Sequence, residues 1–370
     1  VALPVRPWAR RADLVLVTRD HSDARPLSDV PRCDVERFLR TVLQRSVWSV
    51  LVLLAVVTAT FVISRIIPAD PAAFLAGQGA SRAQVEAVRA ALGLDKPLPV
   101  QYVDYISNVL RGDLGMSIRT RSAVAADFAR YLPATLELLV ISFVVYMLLS
   151  FALGMWAALR GGRFFDFLIR IFSTSGTAVP AFWLGLVFQF VFYYLLGWLP
   201  ADSRLGTLDA PPSGPTGWYL IDSALAGDWR TFGIAARHLV MPVSVTVFSL
   251  LALGVRVTRT AVAQELEMQY VATARSKGLG ERTIAWKHVL RNALNPILTV
   301  TGIQFGYMFS WIILVEVVFN WPGIGMYAYR SFEVFDYAPI MGLTLISAVA
   351  FVVINLVTDL LYPVIDPRIG

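Results

Sequence analysis

The stretch Gln269-Tyr-Val-Ala-Thr-Ala-Arg-Ser-Lys-Gly-Leu279 has the clearest physical purpose in this chain of 370 residues. Residues 270–277 are enough for about two helical turns. Tyr270 and Thr273 stand on them, and Ala272 and Ala274 are small, so the backbone can approach a groove closely. Arg275 and Lys277 supply charge. Gly278 can take the left-handed conformation that ends a helix. A second amphipathic piece follows at 281–294, with Ile284, Ala285 and Leu290 apolar against Lys287, His288 and Arg291. The chemistry is that of docking: a short rigid helix on a stiff turn that carries movement from a partner. A solvated basic loop would have the same charges, so spacing alone leaves both readings open.

Bond-making chemistry has no comparable support. The phosphate loop G-x-x-x-x-G-K-[ST] is absent. Cys33 stands alone, which excludes an intrachain disulfide, and neither CxxC nor HExxH occurs. His21, His238 and His288 are scattered, against a metal site. An intramembrane protease would need Ser with His, paired Asp or a metal motif inside the spans. Gly-x-Ser-Gly is absent, and His238 sits at a span edge without an evident partner. The chain reads as non-catalytic and without a cofactor of its own.

The elements that must position the docking stretch are set by composition. Hydrophobic residues make up 56% and charged residues 16%, with a mean hydropathy of +0.62. A soluble domain is roughly 45–50% apolar and 25% charged. Six apolar segments are long enough to cross a membrane, at 47–67, 136–159, 179–199, 238–255, 296–319 and 340–362. The expected fold is therefore all-α and polytopic, with the docking stretch in a loop at 256–292 between the fourth and fifth spans. Roughly 20 of the 32 Lys and Arg fall on one side if the N-terminus is inside, which makes both termini cytoplasmic. The net charge of +6 gathers beside apolar blocks rather than along a soluble face, against nucleic acid as a partner.

Residues 1–34, rich in Arg, Asp and Pro, read as a disordered cytoplasmic tail or an over-called start. At 35–46, Phe38, Leu39, Val42 and Leu43 share one helical face, as in an interfacial helix along the inner leaflet; extension of the first span is the other reading. The outer segment 68–130 is too long for a plain connector. Helices are expected at 81–92 and 99–110, to meet an external partner or to cover the span ends. The core membrane domain runs from 131 to 363, and 364–370 is a cytoplasmic tail.

Glu137, Glu316 and Asp359 lie in or at the edge of apolar spans, where an unpaired carboxylate is costly. Glu137 begins the second span and could be solvated. Glu316, with Trp321 and Gly323 after it, is the candidate for lining or gating a path, so Glu316→Ala should lower transport more than assembly. Asp359 reads as a structural charge near Tyr362 and Arg368, with a substrate role the other option.

The 269–279 stretch resembles the signature loop of ABC-importer permeases, Glu-Ala-Ala, three residues, then Gly. Ala272-Thr-Ala274 and Gly278 occupy those positions; Ala272 replaces the acid, and Leu290-Arg291 replaces a downstream Leu-Pro. The form Asp-Tyr-(x)2-Thr-Ala-Arg-(x)-Lys-Gly-Leu of the dipeptide, oligopeptide and nickel branch fits, with Gln269 for Asp. Leu92-Gly-Leu-Asp-Lys-Pro-Leu98, Arg111-Gly-Asp-Leu-Gly-Met-Ser117, Leu132-Pro-Ala-Thr-Leu-Glu-Leu138 and Glu316-Val-Val-Phe-Asn-Trp-Pro-Gly-Ile-Gly325 are similar to further blocks of that family.

The resemblance implies a type I importer permease in a bacterial inner membrane, forming half of a path for short peptides. It implies partners as well: two ATPase subunits or one fused ATPase carrying ATP and Mg, a second homologous permease, and an external substrate-binding protein. The rival from another class is a solitary secondary transporter or channel. That would call for paired intramembrane charges or inverted repeats, and no clear internal repeat is present.

Overall fold

The computed structural model describes the backbone of residues 35–66, 71–77, 79–91, 93–160, 171 and 179–365. The expected N-terminal tail and residues 366–370 lie outside them. Among the described residues, the named elements are all helical. Five helices are long and apolar enough to cross a membrane.

Helix α1, Val35–Ile66, runs unbroken for 32 residues. The expected interfacial helix and the first span are thus one rod, since no Pro or Gly interrupts the sequence between them. Three short helices follow: α2 (Pro71–Ala76), α3 (Arg82–Ala91) and α4 (Leu98–Leu110). A capping box opens α3, with Gln84 N donating to Ser81 Oγ and Ser81 N donating to Gln84 Oε1. Helix α4 lies on α1 through a 2.6 Å hydrogen bond between Tyr102 and Thr58, and Phe61 sits 5.3 Å from the Tyr102 ring.

Helix α5, Val124–Leu159, spans 36 residues. The expected third span is shorter than its apolar sequence suggests. It forms α6, Ala181–Leu195, whose second half is the π-helix Gln189–Leu195. Gly197, at φ +61°, turns the chain back so that Trp198 N donates to Phe192 O. The 8 α-helical and 7 π-helical residues reach only about 22 Å, short of the roughly 30 Å core of a bilayer. Helix α7 (Tyr219–Leu225) leads into α8, Trp229–Leu266, a rod of 38 residues with Pro242 inside it. Helices α9 (Gln269–Ser276), α10 (Glu281–Val318), α11 (Ile324–Glu333) and α12 (Tyr337–Ile365) complete the chain.

Helices α5 and α8 form the spine. A Cβ on Gly254 would stand 2.6 Å from Tyr146 Oη, and one on Gly154 2.5 Å from Thr258 Cβ. Each rod therefore offers a glycine to the other's bulk, as small residues do where membrane helices approach closely. Helix α8 is 67% buried over its most apolar window, against 11% for α1. The spine and α10 thus form a protein core, while α1 offers its apolar surface outward. Leu138, Tyr146, Leu239, Val247, Met308, Ile312, Phe319, Trp321 and Tyr327 belong to the main buried cluster. A second cluster, with Met155, Val262, Val271, Ile284, Val289 and Ile297, sits at the α9 end.

Candidate functional site

The helix expected to dock is present as α9, within a residue of its expected bounds. Val271 is fully buried and Ala274 nearly so, both in the cluster shared with α5, α8 and α10. Ala272, Thr273, Arg275, Lys277 and Gly278 are exposed, and Tyr270 is half-buried. Of the two alanines expected to face a groove, only Ala272 is exposed. Ala274 lies three residues from Val271 and so shares its inward face.

Hydrogen bonds hold the helix at both ends. The Tyr270 hydroxyl donates to Glu265 Oε2 at 2.6 Å, tying α9 to the end of α8. Burial pushes the Tyr270 pKa up, and the Glu265 carboxylate adds to the shift, so the hydroxyl remains a donor. At the other end, Gly278 has φ +78° and Leu279 N donates to Ala274 O, which closes the helix. Arg275 forks onto Glu281, Nε to Oε1 at 2.7 Å and Nη2 to Oε2 at 3.0 Å, across the turn into α10. That hydrogen bond and charge raise the Arg275 pKa. Lys277 makes no ion pair among the described residues.

The amphipathic piece after the turn has one correction. Ile284, Ala285 and Val289 are fully buried, whereas Leu290 is half-buried. Residues Ile284–Val289 form a π-turn, which widens the helix locally and changes which later residue faces inward.

At the opposite end of the bundle, Glu316 is fully buried and hydrogen-bonded. Thr135 Oγ1 donates to its Oε1 at 2.5 Å, and the backbone N–H groups of Gly325 and Met326 donate to its Oε2 at 2.7 and 3.2 Å. Ile324 N in turn donates to Thr135 Oγ1. A carboxylate thus sits on the N-terminus of α11, where orphan N–H groups and the helix dipole favour negative charge. Trp321, also buried, donates from Nε1 to Ala134 O, and its own N–H is taken by Glu316 O. Gly323 has no room for a side chain, because a Cβ there would meet Glu316 and Thr135 oxygens. The structure places Glu316, Trp321 and Gly323 together, but as the joint between α5, α10 and α11. Glu316 has no exposed surface in this chain taken by itself.

Two further carboxylates were hidden from sequence reasoning as partners. Glu137 is 1% exposed, so the solvated option open to it at a span edge is not the one taken. It accepts from Arg204 Nη2 and from Leu220 N, and Arg204 lies with its guanidinium 3.4 Å from the Tyr219 ring centroid. Asp127 accepts from Thr120 Oγ1 at 2.5 Å and from the Tyr327 hydroxyl at 2.7 Å. Burial and then the Asp127 hydrogen bond push the Tyr327 pKa up, which keeps that hydroxyl protonated. Their only sequence signal is polarity at the edge of an apolar run. Asp359 lies on α12, outside the residues whose side chains are described. Among the described residues no group of three or more His, Cys, Asp or Glu could hold a metal ion.

A spine of buried spans, a short exposed helix fastened to two of them and a hydrogen-bonded joint at the far end make up a multi-pass membrane architecture. The chain belongs to the family of binding-protein-dependent transport system inner membrane components. That family matches residues 150–370, and its N-terminal membrane component matches residues 38–126. The chain is 41% identical over 331 residues to a probable D,D-dipeptide transport system permease protein of Escherichia coli strain K12, covering 89% of this chain and 97% of that one. It is 39% identical to a di/tripeptide transport system permease protein of Pseudomonas aeruginosa strain UCBPP-PA14, covering 84% and 92%. A glutathione transport system permease protein of Escherichia coli O6:H1 is 35% identical, covering 90% and 99%. The chain is therefore a multi-pass inner-membrane permease subunit of an ABC-type import system. Such a system works with ATPase and binding-protein partners.

Proposed function

We propose that this chain forms half of the translocation path for short peptides, beside a second homologous permease. Two ATPase subunits, or one fused ATPase, would bind ATP and Mg and dock on α9. The observation that carries this reading is the division of α9 into two faces. Val271 and Ala274 lock it to the spans, while Ala272, Thr273, Arg275 and Lys277 remain exposed for a partner. The peptide substrate is supported by the relatives, whose names specify dipeptides, tripeptides and glutathione.

Closure of the ATPase pair on ATP would push α9, and α8 and α10 would move with it. The path would switch from inward- to outward-facing and take peptide from the docked binding protein; hydrolysis would then reset it. This is alternating access by relative movement of packed helices. The termini would be cytoplasmic, on the α9 side.

The test is to purify the tagged chain from its native membrane in mild detergent and identify what accompanies it. The expected companions are ATPase subunits and a second multi-span permease, and ATP hydrolysis should rise when peptide-loaded binding protein is added. A chain that emerges alone, stable and folded, would overturn the coupling role of α9 and favour a solitary transporter.

A further inference from the structure

A small cavity of about 160 Å³ opens at the end of the bundle opposite α9. Its walls include Arg119, Arg330, Tyr131, Tyr327, Ser203 and Asn320, and none of its lining residues is an acid. The Arg119 guanidinium makes no hydrogen bond or ion pair among the described residues. It rests over the Tyr327 ring, 5.1 Å from the centroid, and its Nε is buried without a partner. Arg330 holds only a neutral acceptor, Asn320 Oδ1, at 3.0 Å.

The walls are fixed before anything binds. Arg119 sits on a tight turn whose residues Ser117 and Arg119 donate, through Oγ and N, to Asp336 Oδ2 at 2.6 and 3.1 Å. Tyr131 stacks on Tyr327 at 5.1 Å, and Asp127 holds the Tyr327 hydroxyl. Asp127 and Asp336 lie behind this wall as acceptors and line none of the cavity. Their charges offset part of the field, but neither forks onto a guanidinium.

We propose that this cavity receives an acidic side chain of the external binding protein when that protein docks. Two guanidinium groups with free donors in a concave, aromatic-walled site suit a carboxylate. A cavity of this size is below the roughly 300–1,000 Å³ of small-molecule sites, which favours one protein side chain over a whole free peptide. The walls come from segments between and beside the spans, so an approaching protein surface meets them first. The proposal rests on the importer reading above.

The test uses the complete permease–ATPase complex in lipid nanodiscs, with the peptide-loaded binding protein of the same system as probe. ATP hydrolysis is followed against binding-protein concentration. Arg119→Gln should raise the half-stimulating concentration about tenfold, as loss of a charge across an interface does, with the rate at saturation nearly retained. Arg119→Lys should fall between, and Arg111→Gln, exposed and outside the cavity, should match the unmutated complex. If the Arg119→Gln complex does not assemble, Arg330→Gln is read in the same way. An unchanged half-stimulating concentration would overturn the proposal alone. A change confined to the free-peptide dependence at saturating binding protein would also overturn it, by assigning the cavity to the peptide's own carboxylate. An unmutated complex deaf to its binding protein would overturn the importer reading and this proposal with it.

Discussion

Thr135 and Glu316 are 181 positions apart, yet the threonine hydroxyl donates to the carboxylate at 2.5 Å while accepting from Ile324 N. One short chain of hydrogen bonds therefore fastens α5, α10 and α11. Glu316→Ala would strand the Gly325 and Met326 N–H groups in a site closed to water, at about 1–3 kcal/mol for each unsatisfied group. The intact complex, measured by size exclusion, and peptide transport in vesicles should fall in parallel. Transport falling well ahead of assembly would assign Glu316 the path-lining part that the sequence suggested.

Arg204 and Glu137 make a second prediction. Removing the arginine leaves a buried carboxylate with only the Leu220 N–H for company. Arg204→Met should destabilise by roughly 3–5 kcal/mol, read as a lowered thermal midpoint in detergent. Adding Glu137→Leu should recover a large part of the loss, because it removes the uncompensated charge. A double variant no better than the single one would show that Arg204 acts through its contact with Tyr219 instead.

The two alanines of α9 should part company. Ala274→Arg forces a charge into the cluster with Val271 and Ile284, so little folded protein should be recovered. Ala272→Arg adds bulk only on the exposed face. The permease should fold normally but co-purify with less ATPase. Equal recovery of ATPase with Ala272→Arg and the unmutated chain would remove α9 as the docking element.

Gly254→Ala tests the spine. The added Cβ must displace Tyr146 or Ser150, both within 2.7 Å of its position. A cost of about 1–3 kcal/mol is expected from overpacking, seen as a lower thermal midpoint. Gly233→Ala, on the same helix with open space around it, should leave the midpoint nearly unchanged or slightly raised.

What the sequence disclosed follows from the range of the interactions. The α9 bounds were legible because local spacing and Gly278 set them. The membrane-crossing rods followed from apolar runs, which need no knowledge of neighbours. The shortness of the third span was not legible, because Gly197 and the π-helix before it end α6 while the apolar run continues past them. The Glu316 joint was half legible: a carboxylate beside Trp321-Pro-Gly323 announced something special, but its partner Thr135 comes from another helix. Arg204 gave no warning at all, since it sits in the loop between α6 and α7 and finds Glu137 only after the chain has doubled back.

Pro242 gives α8 an unequal lever. Its missing N–H weakens one rung of the helix, about 20 Å from the Trp229 end and about 36 Å from the Leu266 end. If the rod pivots there, the end that carries α9 sweeps nearly twice as far as the other. A small swing at the Trp229 end then corresponds to a large stroke beside α9. In the opposite direction, a long push near α9 arrives at the Trp229 end as a short displacement with proportionately greater thrust.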